Sequence, residues 1–227
     1  MDDEPAARNR DVELIYEMGT ARYIQRTWRQ FLNPDFANLA EHHFRVAWIA
    51  MVIARHEGGV DLEKLLKLAL VHDIYETRTG DVHYLSRVYS TRDKLGAFTD
   101  IFTGTILEDD FLALRDDYDE RRSLEAKIVK DADNLDVDVE LNEQSARGHH
   151  GIRSSKEEMR QHVGATQLYT ETARRLFHEL RAADPHAWHR NANNRFTVGE
   201  WKIEPPPTDS ASNTKPADGY QLSYKVE

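Results

Sequence analysis

The chain has 227 residues, 31% of them charged and 40% apolar, with a formal net charge of −10. That length admits one generous domain or two small ones with a sizeable core, while the acidic balance argues against a polyanion-binding surface, which is built from Lys and Arg on phosphates. Cysteine is absent, which excludes disulfides, thiolate nucleophiles, Cys-type zinc sites and iron–sulfur clusters, so any metal must be held by His and carboxylates.

The opening Met1-Asp-Asp-Glu-Pro is acidic and no apolar segment follows it, so no secretory signal is expected. The longest clean apolar run, residues 46–54, is too short to span a bilayer. A cytoplasmic location is the expectation, with no membrane and no nucleic-acid polymer as partner. Residues 1–11 read as a solvated leader. Over residues 12–31, Leu14, Ile15, Met18, Tyr23, Ile24, Trp28 and Phe31 recur near helical spacing. Asn33-Pro-Asp35 punctuates, and Asp35 is the expected cap of a strong helix over 36–56. Gly58-Gly59 ends that helix. Asp61 caps a third, over 62–75, which is apolar on nearly all sides and so is expected at the centre of a bundle.

Residues 77–81 form a turn around Gly80, and 83–90 read as a loop. One or two irregular helices are predicted over 91–105, a modest helix over 107–118 and a long one over 120–144. Gly148-His-His-Gly151 breaks the pattern, and its two histidines lack a nearby carboxylate, so a loop is expected there. A last long helix is predicted over 156–180. Strand-like alternation never gathers. The reading is one all-α domain of about six or seven helices over residues 12–203. From residue 204 a Pro- and Ser-rich tail to 227 has too little apolar content to pack alone.

The chemistry gathers at Leu70-Val-His-Asp-Ile-Tyr-Glu-Thr-Arg-Thr-Gly-Asp81. Adjacent His72 and Asp73 in an apolar run are polar groups that need partners, and a metal ion satisfies both. His42 and Asp133 also fall on apolar faces of long helices. Taken singly, a helical His is more often a core or surface residue and a helical Asp a solvated one. Together the four come from three helices, as in helix-bundle metal sites. Two imidazoles and two carboxylates leave room on a six-coordinate divalent ion for water and a phosphate oxygen.

The ordered pattern His42…His72-Asp73…Asp133 resembles that of the HD-domain metal-dependent phosphohydrolase superfamily. Ala40-Glu-His-His-Phe-Arg-Val-Ala47, His72-Asp-x-x-Glu76-x-x-Thr79-Gly80-Asp81 and Val129-Lys-Asp-Ala-Asp133-Asn-Leu-Asp136 are similar to segments of its bacterial 5′-deoxynucleotidase branch. The resemblance covers roughly residues 12–182. It implies that His42, His72, Asp73 and Asp133 bind one divalent ion (cobalt, manganese, magnesium, zinc, nickel or iron). It implies Glu76 as the acid/base group and Asp81 as a contact for the sugar hydroxyl or the nucleophilic water. Arg26 would be a fork for the phosphate, with Arg29 competing for that role, and Trp28 would pack on sugar or base. The implied substrate is a nucleoside 5′-monophosphate, and a homodimer is the implied assembly.

Three features depart from the branch. His43 replaces a small residue and reads as a supporting or surface His. Residues 82–90 lack the Pro-containing segment ending in Lys, and Arg87 is a candidate replacement for that cation. This leaves open another small phosphorylated metabolite as substrate, or a non-catalytic metal- or nucleotide-binding module. Finally, His83 alone lies between Asp73 and Asp133, which favours a mononuclear site over a two-metal one.

Overall fold

The computed structural model describes residues 9–33 and 35–190. They are all-α, apart from one isolated bridge between Gln25 and Asn38. In order, the helices are α1 (Arg10–Gly19), α2 (Leu39–Glu57), α3 (Leu62–Val71), α4 (Glu76–Thr79), α5 (Lys94–Phe102), α6 (Glu108–Glu120), α7 (Leu124–Ala146), α8 (Gly151–Thr166), α9 (Glu171–Ala182) and α10 (Ala187–Arg190). Two are single turns, which leaves eight longer helices among the described residues. No described helix is long and apolar enough to cross a membrane. The chain divides into two compact units, Met1–Ala182 and Ala183–Glu227. The expected boundary at 203 and the tail from 204 lie outside the described residues, as do residues 1–8 of the expected leader.

The helix starts follow side-chain capping chemistry. Asn9 accepts from the Val12 N–H and begins α1 inside the segment read as leader. Asp61 caps α3, as expected. Asn38, not Asp35, caps α2, in a reciprocal box with Glu41. Asp35 is held further upstream, where its N–H donates to Asn33 Oδ1 and its carbonyl accepts from Gln144 Nε2.

Two predicted helices are divided. The 12–31 pattern ends as α-helix at Gly19 and continues as 3₁₀ turns at Thr20–Tyr23 and Thr27–Gln30. The cause is tertiary: the Leu39 N–H bonds the Ile24 carbonyl at 2.9 Å and the Thr27 N–H bonds Asp81 Oδ2 at 2.9 Å, which draws residues 24–26 into extended backbone. The 156–180 pattern splits into α8 and α9. At the break the buried Asp131 carboxylate accepts from the Tyr169 N–H, the Thr170 N–H and the Thr170 hydroxyl at 2.7–2.8 Å. Three bonds to one carboxylate offset the backbone bonds lost there. This division accounts for eight longer helices against an expected six or seven. Residues 83–90 are a loop with a single 3₁₀ turn, Ser86–Val88, in line with the sequence reading.

The central helix is α7, which packs against α2, α3, α6, α8 and α9. The expected centre, α3, exposes Leu62 and Leu70. Periodicity misleads here because α7 buries Asp131, Asp136, Asp138, Glu140 and Gln144 with partners rather than apolar side chains. Asp138, for example, is clasped by Arg160 and Arg181. Beneath this polar layer, Val46, Ile53, Leu65, Leu68, Ile128, Leu135 and Phe177 form the main core between α2, α3, α7 and α9.

Candidate metal centre

Three elements carry the four predicted ligands: His42 on α2, His72 and Asp73 just past α3, and Asp133 on α7. Each offers one ligand atom, and these atoms lie within 4.8 Å of one another. Among the described residues no other group of His, Asp or Glu gathers in this way. The α3 helix stops at Val71, and residues 72–75 tighten into turns, with the Ile74 N–H on the Val71 carbonyl and the Glu76 N–H on the Asp73 carbonyl. The helix expected over 62–75 therefore ends early, and residues 72–75 form a 3₁₀-like corner leading into α4.

Both imidazoles are fully or nearly buried and have fixed tautomers. His72 Nδ1 lies 2.9 Å from the Ala69 carbonyl. A carbonyl only accepts, so Nδ1 carries hydrogen and the Nε2 lone pair faces the site. His42 Nδ1 donates to Asp136 Oδ2 at 2.6 Å, which leaves Nε2 turned the same way. The two Nε2 atoms are 3.2 Å apart, and His42 Nε2 is 3.3 Å from Asp133 Oδ1. Two aimed lone pairs flanked by two carboxylates form a donor set suited to a divalent ion, and the carboxylate–imidazole pairing behind His42 is the support that metal-binding histidines use.

The carboxylates and burial pull the two imidazoles in opposite directions. Burial and Arg26 oppose charge on His42, but the hydrogen bonds to Asp133 and Asp136 prevail and push it up to about 9. Burial keeps His72 below its usual value. Asp133, beside Lys130 and His42, is held well below the usual carboxylate range although burial works against ionisation. The point between the two Nε2 atoms and Asp133 therefore favours positive charge.

Several supporting residues escaped the sequence reading. Arg45, one turn after His42, pairs with Asp136, with Glu140 at 2.6 Å and with Glu143 at 2.8 Å. It fixes the carboxylate that orients His42. Lys130 donates to Asp133 Oδ2 at 2.6 Å, and Tyr75 donates to Asp73 Oδ1 at 3.1 Å. Helical spacing held a signal for two of these, since Arg45 follows His42 and Asp136 follows Asp133 by three residues.

Glu76 is 3% exposed, with Arg92 on Oε1 at 3.2 Å and Oε2 buried without a partner. Burial, with Asp73 and Asp81 adding negative charge, pushes its carboxyl up to about 8. Arg92 also bonds the Gly80 carbonyl at 2.9 Å; coming from a loop, it left no periodic signal. Arg26 is partly buried. Desolvation opposes its charge, but Asp81, Asp73, Asp133 and Glu76 more than offset that and raise its pKa. It therefore faces the carboxylate cluster. Asp81 Oδ2 accepts from the Thr27 N–H and lies 3.7 Å from Arg26, while its Oδ1 is 4.0 Å from Arg87.

Other candidates lie elsewhere. Trp28 packs against the cluster of Phe36, Leu141 and Ile152, with Lys156 Nζ over its ring at 4.8 Å. Arg29 lines a cleft of about 430 Å³ with Arg26, Asp81 and His83. His83 is engaged with Ser86 and the Phe31 ring. His43 is buried with its ring 4.5 Å from that of His72, and burial holds it neutral. His149 and His150 are exposed at the turn before α8.

The HD domain family matches residues 18–174. A 5′-deoxynucleotidase of Danio rerio is 30% identical over 135 residues, which are 56% of this chain and 65% of that protein, just under two thirds. A 5′-deoxynucleotidase of Photorhabdus laumondii is 28% identical over 137 residues, 54% of this chain and 69% of the relative. Among solved structures, a conserved hypothetical protein from Pyrococcus furiosus aligns with a TM-score of 0.62 at 25% identity, over 76% of this chain and 99% of that one.

Proposed function

The chain belongs to the HD domain family, and from that premise we propose that it is a divalent-metal-dependent phosphomonoesterase hydrolysing nucleoside 5′-monophosphates, deoxynucleotides among them, to nucleoside and inorganic phosphate. The observation that carries the reading is the convergence of two imidazole Nε2 atoms and two carboxylates beside a buried Glu76 and a partly buried Arg26. The names of the Danio and Photorhabdus relatives support the nucleotide.

His42, His72, Asp73 and Asp133 would hold one divalent ion, manganese, cobalt, magnesium, zinc, nickel or iron. When bound, such an ion supplies charge that polarises a phosphoryl oxygen and lowers the pKa of a bound water. Asp136 and Ala69 keep the two Nε2 lone pairs aimed. Arg26 offsets charge developing on the phosphate, which is worth most in a water-poor site. Glu76, protonated near neutrality, donates its proton to the leaving 5′-oxygen. Asp81 positions the residue 26–28 segment through Thr27 and offers Oδ1 towards the sugar.

Phosphate release from a panel of ribo- and deoxyribonucleoside monophosphates, with the metal-free protein reloaded with each ion, tests the proposal. Turnover that disappears in His72→Ala supports it. Absence of turnover for every monophosphate in a demonstrably metal-loaded sample overturns it.

A further inference from the structure

A second cleft, of about 340 Å³, is lined by His72 and Asp73 but not by Arg26. Four cations line it: Lys94 at the start of α5, Arg115 and Arg121 at the end of α6, and Lys130 on α7. In a chain of net charge −10 that gathering is against the average, and two of the four have carboxylate partners that account for them. Arg115 pairs with Asp116 and Lys130 with Asp133.

Lys94 and Arg121 have no such partner among the described residues. Lys94 Nζ lies 4.9 Å from the Tyr75 ring centroid, and the Arg121 guanidinium 3.9 Å from that of Tyr118. Arg121 Nη1 is buried with no hydrogen-bond acceptor, a state that protein interiors rarely leave standing. Its backbone adds to the oddity. Arg121 closes α6 in the left-handed region, φ 54° and ψ 40°, and is the one non-glycine residue with positive φ among those described. Glycine is the residue that suits such a helix end. A strained backbone and an unsatisfied guanidinium at one position, beside a candidate active site, point to a ligand.

The cleft's chemistry selects an anion over a base. Lys94 and Arg121 lie over the Tyr75 and Tyr118 rings, and with Arg115 and Lys130 they set four cations against the two carboxylates of the lining, Asp73 and Asp119. It is also contiguous with the metal centre, because the Tyr118 ring lies 5.9 Å from that of His72. We propose that this cleft holds a second anionic group of the substrate, a phosphate other than the one cleaved, with Arg121 and Lys94 as its anion-binding residues. The inference rests on the phosphomonoesterase reading and adds to it a preference, among its substrates, for nucleotides that carry a second phosphate.

The test uses the full-length, metal-loaded protein with adenosine 5′-monophosphate, adenosine 3′,5′-bisphosphate and adenosine 5′-diphosphate. Arg121→Gly removes the guanidinium and suits the positive φ, so it is expected to unfold at the same or a higher temperature than the parent. Arg121→Lys restores charge. A charge-assisted contact of this kind predicts a dissociation constant for one two-phosphate nucleotide that rises about 10- to 100-fold in Arg121→Gly, with partial recovery in Arg121→Lys. The monophosphate should shift less than twofold. Whichever two-phosphate nucleotide responds shows where the second group is attached. An equal loss for the monophosphate overturns the proposal, because the cleft would then hold the scissile phosphate, and so does an unchanged affinity for all three. Binding is read apart from turnover. Arg121-dependent binding without hydrolysis keeps the subsite and removes the phosphomonoesterase reading, whereas hydrolysis without Arg121 dependence does the reverse.

Discussion

Asp136→Asn isolates the support behind the metal centre from its ligands. Asp136 accepts from two donors at once, His42 Nδ1–H at 2.6 Å and Arg45 Nε–H. Asparagine keeps the shape but has one oxygen and one NH₂, so one of the two donors must face another donor. If His42 loses its acceptor, Nδ1 no longer holds the hydrogen and Nε2 is free to take it, which turns the lone pair away from the metal position. Loss of such a support typically lowers metal affinity by about 10- to 100-fold, or roughly 1.4–2.8 kcal/mol. The fold should suffer less, about 1–2 kcal/mol, because Arg45 keeps Glu140 and Glu143. The assay is calorimetric titration of manganese into metal-free protein, beside thermal unfolding of the same sample. Manganese affinity within twofold of the parent would refute the reasoning, and a large loss of stability at unchanged affinity would assign Asp136 to the fold alone.

Further outcomes follow from the same geometry. The His42 proton competes with the metal, so manganese affinity should rise from pH 6.5 to 9 and about one proton per site should be released near neutrality, measurable in buffers of different ionisation enthalpy. Because His42 is raised from 6.5 to about 9, the stability it contributes to the metal-free protein is fully present below pH 6.5 and lost as the pH rises through 9. Melting temperatures of metal-free and metal-loaded samples should therefore diverge over that range. Glu76→Gln should retain metal and lower kcat by about 10²- to 10⁴-fold; full activity in this variant would remove Glu76 from proton transfer. Gly164→Ala would set a Cβ 2.4 Å from Phe177 Cε1, and the overpacking should cost about 1–3 kcal/mol in urea unfolding, with metal content unchanged.

The sequence showed what is periodic and hid what is held by a single long-range bond. Helices α2, α5 and α6 lay close to their apolar patterns because their own faces define them, and α2 and α5 also start at their own side-chain caps, Asn38 and Asp93. The 12–31 and 156–180 patterns failed where a distant carboxylate intervened, Asp81 on Thr27 and Asp131 on Tyr169 and Thr170. Neither bond leaves a trace in local spacing. The four residues read as ligands share a motif order, and the structure gathers them. Trp28, read as packing on sugar or base, lies against Phe36, Leu141 and Ile152.

Helix α7 shows why the supporting residues were the hardest to see. Read by hydropathy, Asp131, Asp133, Asp136, Asp138 and Glu140 make a mixed, half-solvated helix. In the fold each acidic group is buried against a donor brought from another element: backbone N–H groups before α9, His42, Arg45, then Arg160 and Arg181, with Lys130 of α7 itself adding to Asp133. Carboxylates are stable there only while those donors stay, so α7 ties α2, α8 and α9 to one register and fixes Asp133 opposite His42 and His72. A burial pattern built from charge is invisible to a scale that scores charge as surface. The same reasoning separates the two arginines beside the metal centre. Arg26 is explained by the carboxylates it faces, whereas Arg121 lies over the Tyr118 ring with a buried nitrogen that has no acceptor, the feature on which the proposed second anion rests.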